Sequence, residues 1–322
     1  MSRWSDAAGN VPPAADRLRR VQMNESDVGF LGAPIETDLT RLDAEFAILG
    51  VPFGWPYPRP GVTAGCREAP SAVRRQARRL ARFRDHWDFD ANAPMHLPPM
   101  VDAGDVPGDL SDGPGNSRRS TAAVAAILER GVIPICIGGD DSVPIPILRA
   151  YAGREPLTIL QVDAHLDFRD EIDGVREGYS SPMRRASEME HVERILQVGL
   201  RGVGSARASD VIDARAAGNL LVTARELRER GVSWLLEQVP ADASVFVSFD
   251  CDGLDPSVFP AVSALAPGGL SYVEAWDLLS GIGPRLTGAV FTEYVPALDR
   301  DSVSALVLTR LLASLVRLQN AV

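Results

Sequence analysis

A short apolar run that ends abruptly in ligand chemistry constrains this chain more than any other feature. Leu157 to Val162 (Leu-Thr-Ile-Leu-Gln-Val) reads as a buried strand. It leads directly into Asp163-Ala164-His165-Leu166-Asp167. Residues at i, i+2 and i+4 of an extended chain point the same way. Two carboxylates and an imidazole would therefore leave the sheet together. Such groups repel one another or stay unpaired unless a cation joins them. A second stretch of this kind, Ser248-Phe249-Asp250-Cys251-Asp252-Gly253-Leu254-Asp255-Pro256, lies further along the chain. The two strand ends are expected to share metal ions.

The surrounding pattern says what brings them together. Strand candidates are Phe46 to Phe53, Met100 to Val106, Val132 to Ile137, Leu157 to Val162, Val192 to Gly199, Leu220 to Thr223, Ser244 to Ser248 and Ala289 to Tyr294. Between them lie helix candidates at Ala69 to Phe83, Asn116 to Gly131, Val143 to Tyr151, Pro182 to Met189, Ala206 to Ala217, Ala224 to Gln238, Ser271 to Ser280 and Ser302 to Arg317. Asn116 or Ser117 is the expected N-cap of the second helix. Several strands are apolar throughout, as strands covered on both faces are. This alternation predicts a three-layer α/β/α fold on a mainly parallel sheet. Active sites of such sheets lie beyond the carboxyl ends of the strands. Residues 1–43 read as an N-terminal extension and 44–322 as one catalytic domain.

Composition excludes some functions. The net charge of −10 argues against a nucleic-acid surface or an anionic membrane. No apolar run reaches the ~18 residues of a membrane span. The first twenty residues lack the apolar core of a secretory signal, so a cytoplasmic location is expected. Three cysteines, Cys66, Cys136 and Cys251, are too few and too dispersed for a disulfide framework or a zinc ribbon.

Asp140, Asp141, Asp163, His165, Asp167, Asp250, Asp252 and Asp255 all fall at carboxyl ends of expected strands. Asp140 and Asp255 are read first as caps or Asx turns. The others form an oxygen-rich set with one imidazole, which suits Mn2+ and its neighbours. Two divalent ions bridged by carboxylates can activate a water held between them.

The stretches Gly138-Gly139-Asp140-Asp141-Ser142, Asp163-Ala164-His165-Leu166-Asp167 and Ser248 to Pro256 resemble the metal-binding signatures of the ureohydrolase family, which holds arginases, agmatinases, formiminoglutamases and guanidino-acid hydrolases. The likeness extends from about Phe46 to Leu318. It implies the arginase/deacetylase-like fold, two Mn2+ per subunit (with Ni2+ as the alternative) and hydrolysis of a guanidino group to urea and an amine. It further implies that Asp163 and Asp250 bridge both metals, that His165 and Asp252 complete one site, and that Asp167 belongs to the other. Thr292-Glu293-Tyr294-Val295-Pro296 resembles the family's substrate carboxylate, and a carboxylate fork is what reads a planar guanidinium best. Arg59-Pro60-Gly61 and Gly268-Gly269-Leu270 resemble architectural turns. A trimer or hexamer is implied on the same ground.

Two positions depart from the family pattern. Asp141 stands where the family usually has a ligating His. Its carboxylate reaches about as far as a His δ nitrogen, but it brings the site to five carboxylates against two divalent ions. The bridging water should then be harder to deprotonate. The loop Gly178-Tyr179-Ser180-Ser181-Pro182 has no His where the family often has one, so either Ser180, Ser181 or Tyr179 with water carries protons or touches substrate, or the shuttle is absent. His86, His96 and His191 read as surface or packing residues. Cys251 and Cys136 read as core, and Trp55 and Tyr57 as packing the loop or lining the mouth. The expected reaction is amidinohydrolysis with Asp252 and Glu293 catalytic, acting on an agmatine-like or guanidino-acid substrate. The rivals are a non-catalytic partner subunit of an active paralogue and a hydrolase of formimino or other C–N bonds.

Overall fold

The computed structural model describes residues 29–55, 57 and 64–317. Residues 1–28 of the expected N-terminal extension, and the Arg59-Pro60-Gly61 turn, lie outside the described residues.

One sheet of eight strands organises the chain. In chain order these are β1 (Phe46–Val51), β4 (Met100–Asp105), β5 (Ile133–Gly138), β6 (Leu157–Val162), β7 (Val192–Leu200), β8 (Leu220–Thr223), β9 (Ser244–Asp250) and β10 (Leu286–Thr292). Two short strands, β2 (Trp87–Asp88) and β3 (Ala93–Pro94), pair antiparallel in a separate hairpin. The spatial order is β4-β1-β5-β10-β9-β6-β7-β8, and every pairing in it is parallel. The helices are α1 (Ala69–Ala81), α2 (Gly113–Glu129), α3 (Pro144–Arg149), α4 (Pro182–Ala186), α5 (Ala208–Ala216), α6 (Ala224–Arg230), α7 (Val232–Glu237), α8 (Tyr272–Ile282) and α9 (Val303–Val316).

Strand alternation divides the core into two layers. Ile48, Ile135, Leu160, Val247 and Phe291 face one side, with α1, α8 and α9 packed there. Leu49, Cys136, Ile159, Phe246 and Val290 face the other, against residues of α2, α3 and α4. Both faces are thus buried, which explains the continuous apolar runs. Residues 29–43 also enter the packing, for Phe30 and Leu31 are fully buried. The Phe30 N–H donates to Asp102 Oδ2 at 2.8 Å, and Arg74 closes the same carboxylate from α1 at 2.8 Å.

Some boundaries differ from the sequence expectation for local reasons. Helix α2 begins at Gly113, because Asp112 accepts from the Gly115 N–H and so caps it, with a proline tolerated in the first turn. Asn116 instead donates to the Gly54 and Asp109 carbonyls and pins the loop above. The segment Ala224 to Gln238 splits into α6 and α7 at Gly231, whose φ of +86° an L side chain rarely adopts. The hairpin β2–β3 carries no strong sequence signal. Arg310 of α9 holds it through two hydrogen bonds to Asp88, at 3.0 and 2.7 Å.

The topology decides where the site lies. After β5 the chain passes over two strand positions to form β6, and β9 and β10 later fill the gap between them. Residues far apart in sequence therefore end four adjacent strands, β5, β10, β9 and β6. Crevices at such reversals of strand order are the usual ligand sites of open parallel sheets.

Candidate metal centre

The four central strands deliver Asp141, Glu293, Asp250 and Asp163 to one end of the sheet. Asp163, His165 and Asp252 each offer a ligand atom within 4.8 Å of the others, and so do Asp141, Asp163 and Asp250. Asp163 belongs to both clusters. Asp167 lies against Asp163 and Asp141, and burial, then their charges, raise its pKa. A cavity of about 230 Å³ opens onto these groups; Asp141, His165, Asp167, Asp250, Asp252 and Glu293 line it together with Tyr179, Ser180, Ser205 and Ser263.

Convergence comes from turns more than from strand pleat. The strand ends at Val162, and the Asp163 Oδ1 accepts the His165 N–H at 2.6 Å. The Asp250 Oδ1 accepts the Asp252 N–H at 2.7 Å in the same way. Each aspartate thereby folds the chain so that the residue two positions on faces the same centre. Asp167 sits at φ +46° and Glu293 at +64°, in the sparsely populated left-handed region. Asp140 accepts from the Ser142 N–H at 3.0 Å, and Asp255 from the Ser257 and Gly268 N–H groups at 2.9 and 2.7 Å. These two build turns, as expected. Four hydrogen bonds to its carboxylate, from the Ser257 hydroxyl and the Ser257, Gly268 and Gly269 N–H groups, bring Asp255 down to about 2.

The electrostatics call for cations. Asp141, Asp163, Asp167, Asp250 and Asp252 are all at most 5% exposed. Burial, and then crowding by one another, raises Asp141, Asp167 and Asp250 well above the ordinary carboxylate range. His165 is held up to about 11 by hydrogen bonding to Asp163 and Asp252, its Nδ1 lying 3.0 Å from Asp252 Oδ2. Asp141 Oδ1 accepts from the Thr292 hydroxyl at 2.6 Å, whereas its buried Oδ2 has no hydrogen-bond donor. A buried carboxylate oxygen without a donor costs about 1–3 kcal/mol or more. Five carboxylates with one orphaned oxygen are a donor set that fits a pair of divalent ions.

Glu293 stands at the side of this cluster. Its Oε1 accepts the Asp141 N–H at 2.9 Å, and its Oε2 faces the Cys66 thiol at 3.6 Å. Burial and the nearby Asp140 raise it to about 8. Burial also pushes the Cys66 thiol up, which keeps it a donor.

The serines separate. Ser180 lines the cavity, and its N–H donates to the Tyr57 hydroxyl at 3.2 Å. Ser181 is fully buried and is not among the lining residues. Tyr57 packs edge-on against Tyr179 with ring centroids 4.5 Å apart, so it supports the cavity wall. Trp55 packs over Gly113, and Cys251 joins the apolar core. Behind His165, a Cβ on Gly204 would come within 2.6 Å of the imidazole, so this loop must pass close to the ring.

Sequence reasoning missed Thr292, Cys66, Ser205 and Ser263. Thr292 stands in the stretch read for Glu293 but carries no role of its own there, the other three belong to no motif, and each reaches the site through sheet order or loop return. Arg201 was missed as well. Its guanidinium holds the turn after β9 by donating to the carbonyls of Asp252, Leu254 and Ala266.

Comparison with known proteins adds to this geometry. The sequence pattern of the arginase family matches residues 44–317. The mitochondrial agmatinase of Gallus gallus is 30% identical over 314 residues, covering 94% of this chain and 88% of the relative. The guanidinopropionase of Pseudomonas aeruginosa is 31% identical over 288 residues, with 86% and 87% covered. The crystal structure of Trypanosoma cruzi formiminoglutamase with Mn2+ superposes with a TM-score of 0.74 at 27% identity, over 88% of this chain and 97% of that one.

Proposed function

The chain belongs to the arginase family, and on that premise we propose that it is a two-metal amidinohydrolase that cleaves a guanidino compound to urea and an amine. The observation that carries this reading is the membership of Asp163 in both ligand clusters, whose other members line the same cavity as Glu293.

In this reading Asp163, His165, Asp250 and Asp252 would hold one ion, and Asp141, Asp163, Asp167 and Asp250 the other. Asp163 and Asp250 are shared. Oxygen donors with a single imidazole favour Mn2+, with Ni2+ as the alternative. When bound, such a pair supplies a nucleophilic water near neutral pH and offsets the buried negative charge.

The chain's own groups do the rest. Glu293 accepts N–H bonds from the substrate guanidinium and sets its carbon over the cluster. A guanidinium stays protonated, so its approach favours the ionised form of Glu293, which burial disfavours in the empty cavity. The Asp141 N–H and the Cys66 thiol fix the carboxylate before substrate arrives. Water adds to the guanidinium carbon and its proton passes to Asp252 Oδ2, beside His165. That proton goes to the leaving nitrogen as the C–N bond breaks, and urea and the amine depart. Ser180, at the cavity wall, is placed to hydrogen-bond substrate or a relaying water.

The proposal extends to a cytoplasmic homo-oligomer, trimeric or hexameric as the family resemblance implies. Among the described residues no helix is long and apolar enough to cross a membrane. The test is urea release from agmatine, guanidinopropionate, guanidinobutyrate, arginine and guanidine by the native chain and by Asp250→Ala. The native chain is expected to release urea from at least one. Asp250→Ala, folded by circular dichroism, is expected to release none above background. Full activity in that variant contradicts the reading, and formamide or ammonia in place of urea redirects it to another C–N bond.

A further inference from the structure

Strands β6 and β7 carry the same tetrapeptide, Ile-Leu-Gln-Val, at 159–162 and 195–198. The two copies pair residue for residue, so Gln161 lies beside Gln197. A primary amide is an unusual choice at fully buried strand positions with apolar neighbours; Gln161 is 1% and Gln197 0% exposed. Their side chains form a line that ends on Asp163. Asn219 Nδ2 donates to Gln197 Oε1 at 2.8 Å. Gln197 Nε2 donates to Gln161 Oε1 at 2.6 Å and to the Leu166 carbonyl at 2.7 Å. Gln161 Nε2 donates to Asp163 Oδ2 at 2.7 Å.

The direction of this line is fixed by its chemistry. An ionised carboxylate and a peptide carbonyl only accept. Asp163 therefore demands the NH2 end of Gln161, and the Leu166 carbonyl demands the NH2 end of Gln197. With both amides so turned, the Gln161 oxygen receives Gln197 and the Gln197 oxygen receives Asn219. No link can flip without setting two acceptors face to face.

We propose that Asn219, Gln197 and Gln161 are positioning residues that prepare Asp163 to bridge two cations. A carboxylate offers about four lone-pair sites. Gln161 takes one on Oδ2, and the His165 N–H takes one on Oδ1 at 2.6 Å. One site per oxygen remains, which is what a carboxylate shared between two ions needs. The line also returns to the Leu166 carbonyl, and so ties the loop that carries His165 and Asp167 to the interior of the sheet. This inference rests on the two-metal reading above.

The test is titration of metal-stripped protein with Mn2+ and with Ni2+, read as dissociation constants by calorimetry and independently of turnover. Partners behind metal ligands typically change metal affinity about 10–100-fold. Gln161→Met, nearly isosteric and without a donor, is expected to weaken binding by that order. Gln197→Met is expected to weaken it less. The double variant is expected to lose less than the sum of the two single losses, because part of the Gln197 effect passes through Gln161 and only its tie to the Leu166 carbonyl is separate. Asn219→Asp, isosteric and at the outer end, puts an acceptor-only carboxylate where a donor is required. It is expected to weaken binding even if a core variant fails to fold. Native affinity in folded Gln161→Met or Asn219→Asp overturns the relay, as do independent, additive losses in the double variant. A native chain that takes up neither ion overturns the two-metal reading and the relay with it; native uptake with unaffected variants overturns the relay alone.

Discussion

The backbone N–H of Asp141 donates to Glu293 Oε1 at 2.9 Å, across 152 residues of sequence. One residue belongs to the carboxylate cluster, and the other is the acid we assign to the substrate. Strands β5 and β10 are neighbours in the sheet, so their ends hold the two functions in a fixed relation. Thr292 adds a second tie, its hydroxyl reaching Asp141 Oδ1 at 2.6 Å. The two roles proposed for these residues thus sit on adjoining strand ends joined by two hydrogen bonds.

Glu293→Gln should separate the two. The amide keeps the shape and can still accept the Asp141 N–H, but it has lost the charge facing a guanidinium. Leaving a buried charge without its partner costs about 3–5 kcal/mol. The expected outcome is a fall in kcat/KM of roughly 10²–10⁴-fold, with metal content unchanged. Steady-state kinetics and metal analysis on the same sample check this, and native kcat/KM would remove Glu293 from substrate binding.

Asp141 is one of the two positions where the sequence departs from the pattern it resembles, and its side chain nevertheless joins Asp163 and Asp250. Asp141→Ala is expected to lose one of two ions per chain. Asp141→His is expected to keep both and to move the acidic limb of the pH–rate profile to lower pH, since a neutral ligand leaves more positive charge on the water. A shift to higher pH, or none, would show that the Asp141 charge does not govern that water.

Stripping the metal should reverse the dependence of stability on pH. Without cations, burial and crowding raise Asp141, Asp167 and Asp250 well above 3.8, and burial with Asp140 raises Glu293 to about 8. The folded state then binds protons more tightly than the unfolded chain. Its contribution is fully present below the ordinary carboxylate pKa of ~4 and is lost as pH rises through the raised values. Urea midpoints of the stripped protein should therefore fall from pH 5 to pH 8.5. Loaded protein should gain stability over the same range, because its ligands must be deprotonated to bind. Parallel slopes for the two forms would contradict this.

Much of the site could be read from the sequence, although partly for a different physical reason. The spacing of Asp163, His165 and Asp167, and of Asp250 and Asp252, suggested shared direction along extended strands. The shared direction holds, but it arises in tight turns closed by Asp163 and Asp250 on the backbone two residues on. The alternation of apolar runs gave the layers, since both sheet faces are covered. Helix caps depend on which acceptor arrives first, and so Asp112 displaced Asn116. Thr292 and Cys66 could not be read, because their value depends on which strand ends become neighbours. Gln161 and Gln197 did leave a trace, as amides inside the repeated Ile-Leu-Gln-Val run, but only the pairing of β6 with β7 gives it meaning.

The most direct test of the central claim is to measure metal content and urea release on one preparation of the native chain, before and after chelation. About two divalent ions per chain and urea from a guanidino substrate are expected, with loss of both on chelation and return of both on adding Mn2+ or Ni2+. A folded chain that takes up neither ion and releases no urea from any of the guanidino compounds would contradict it.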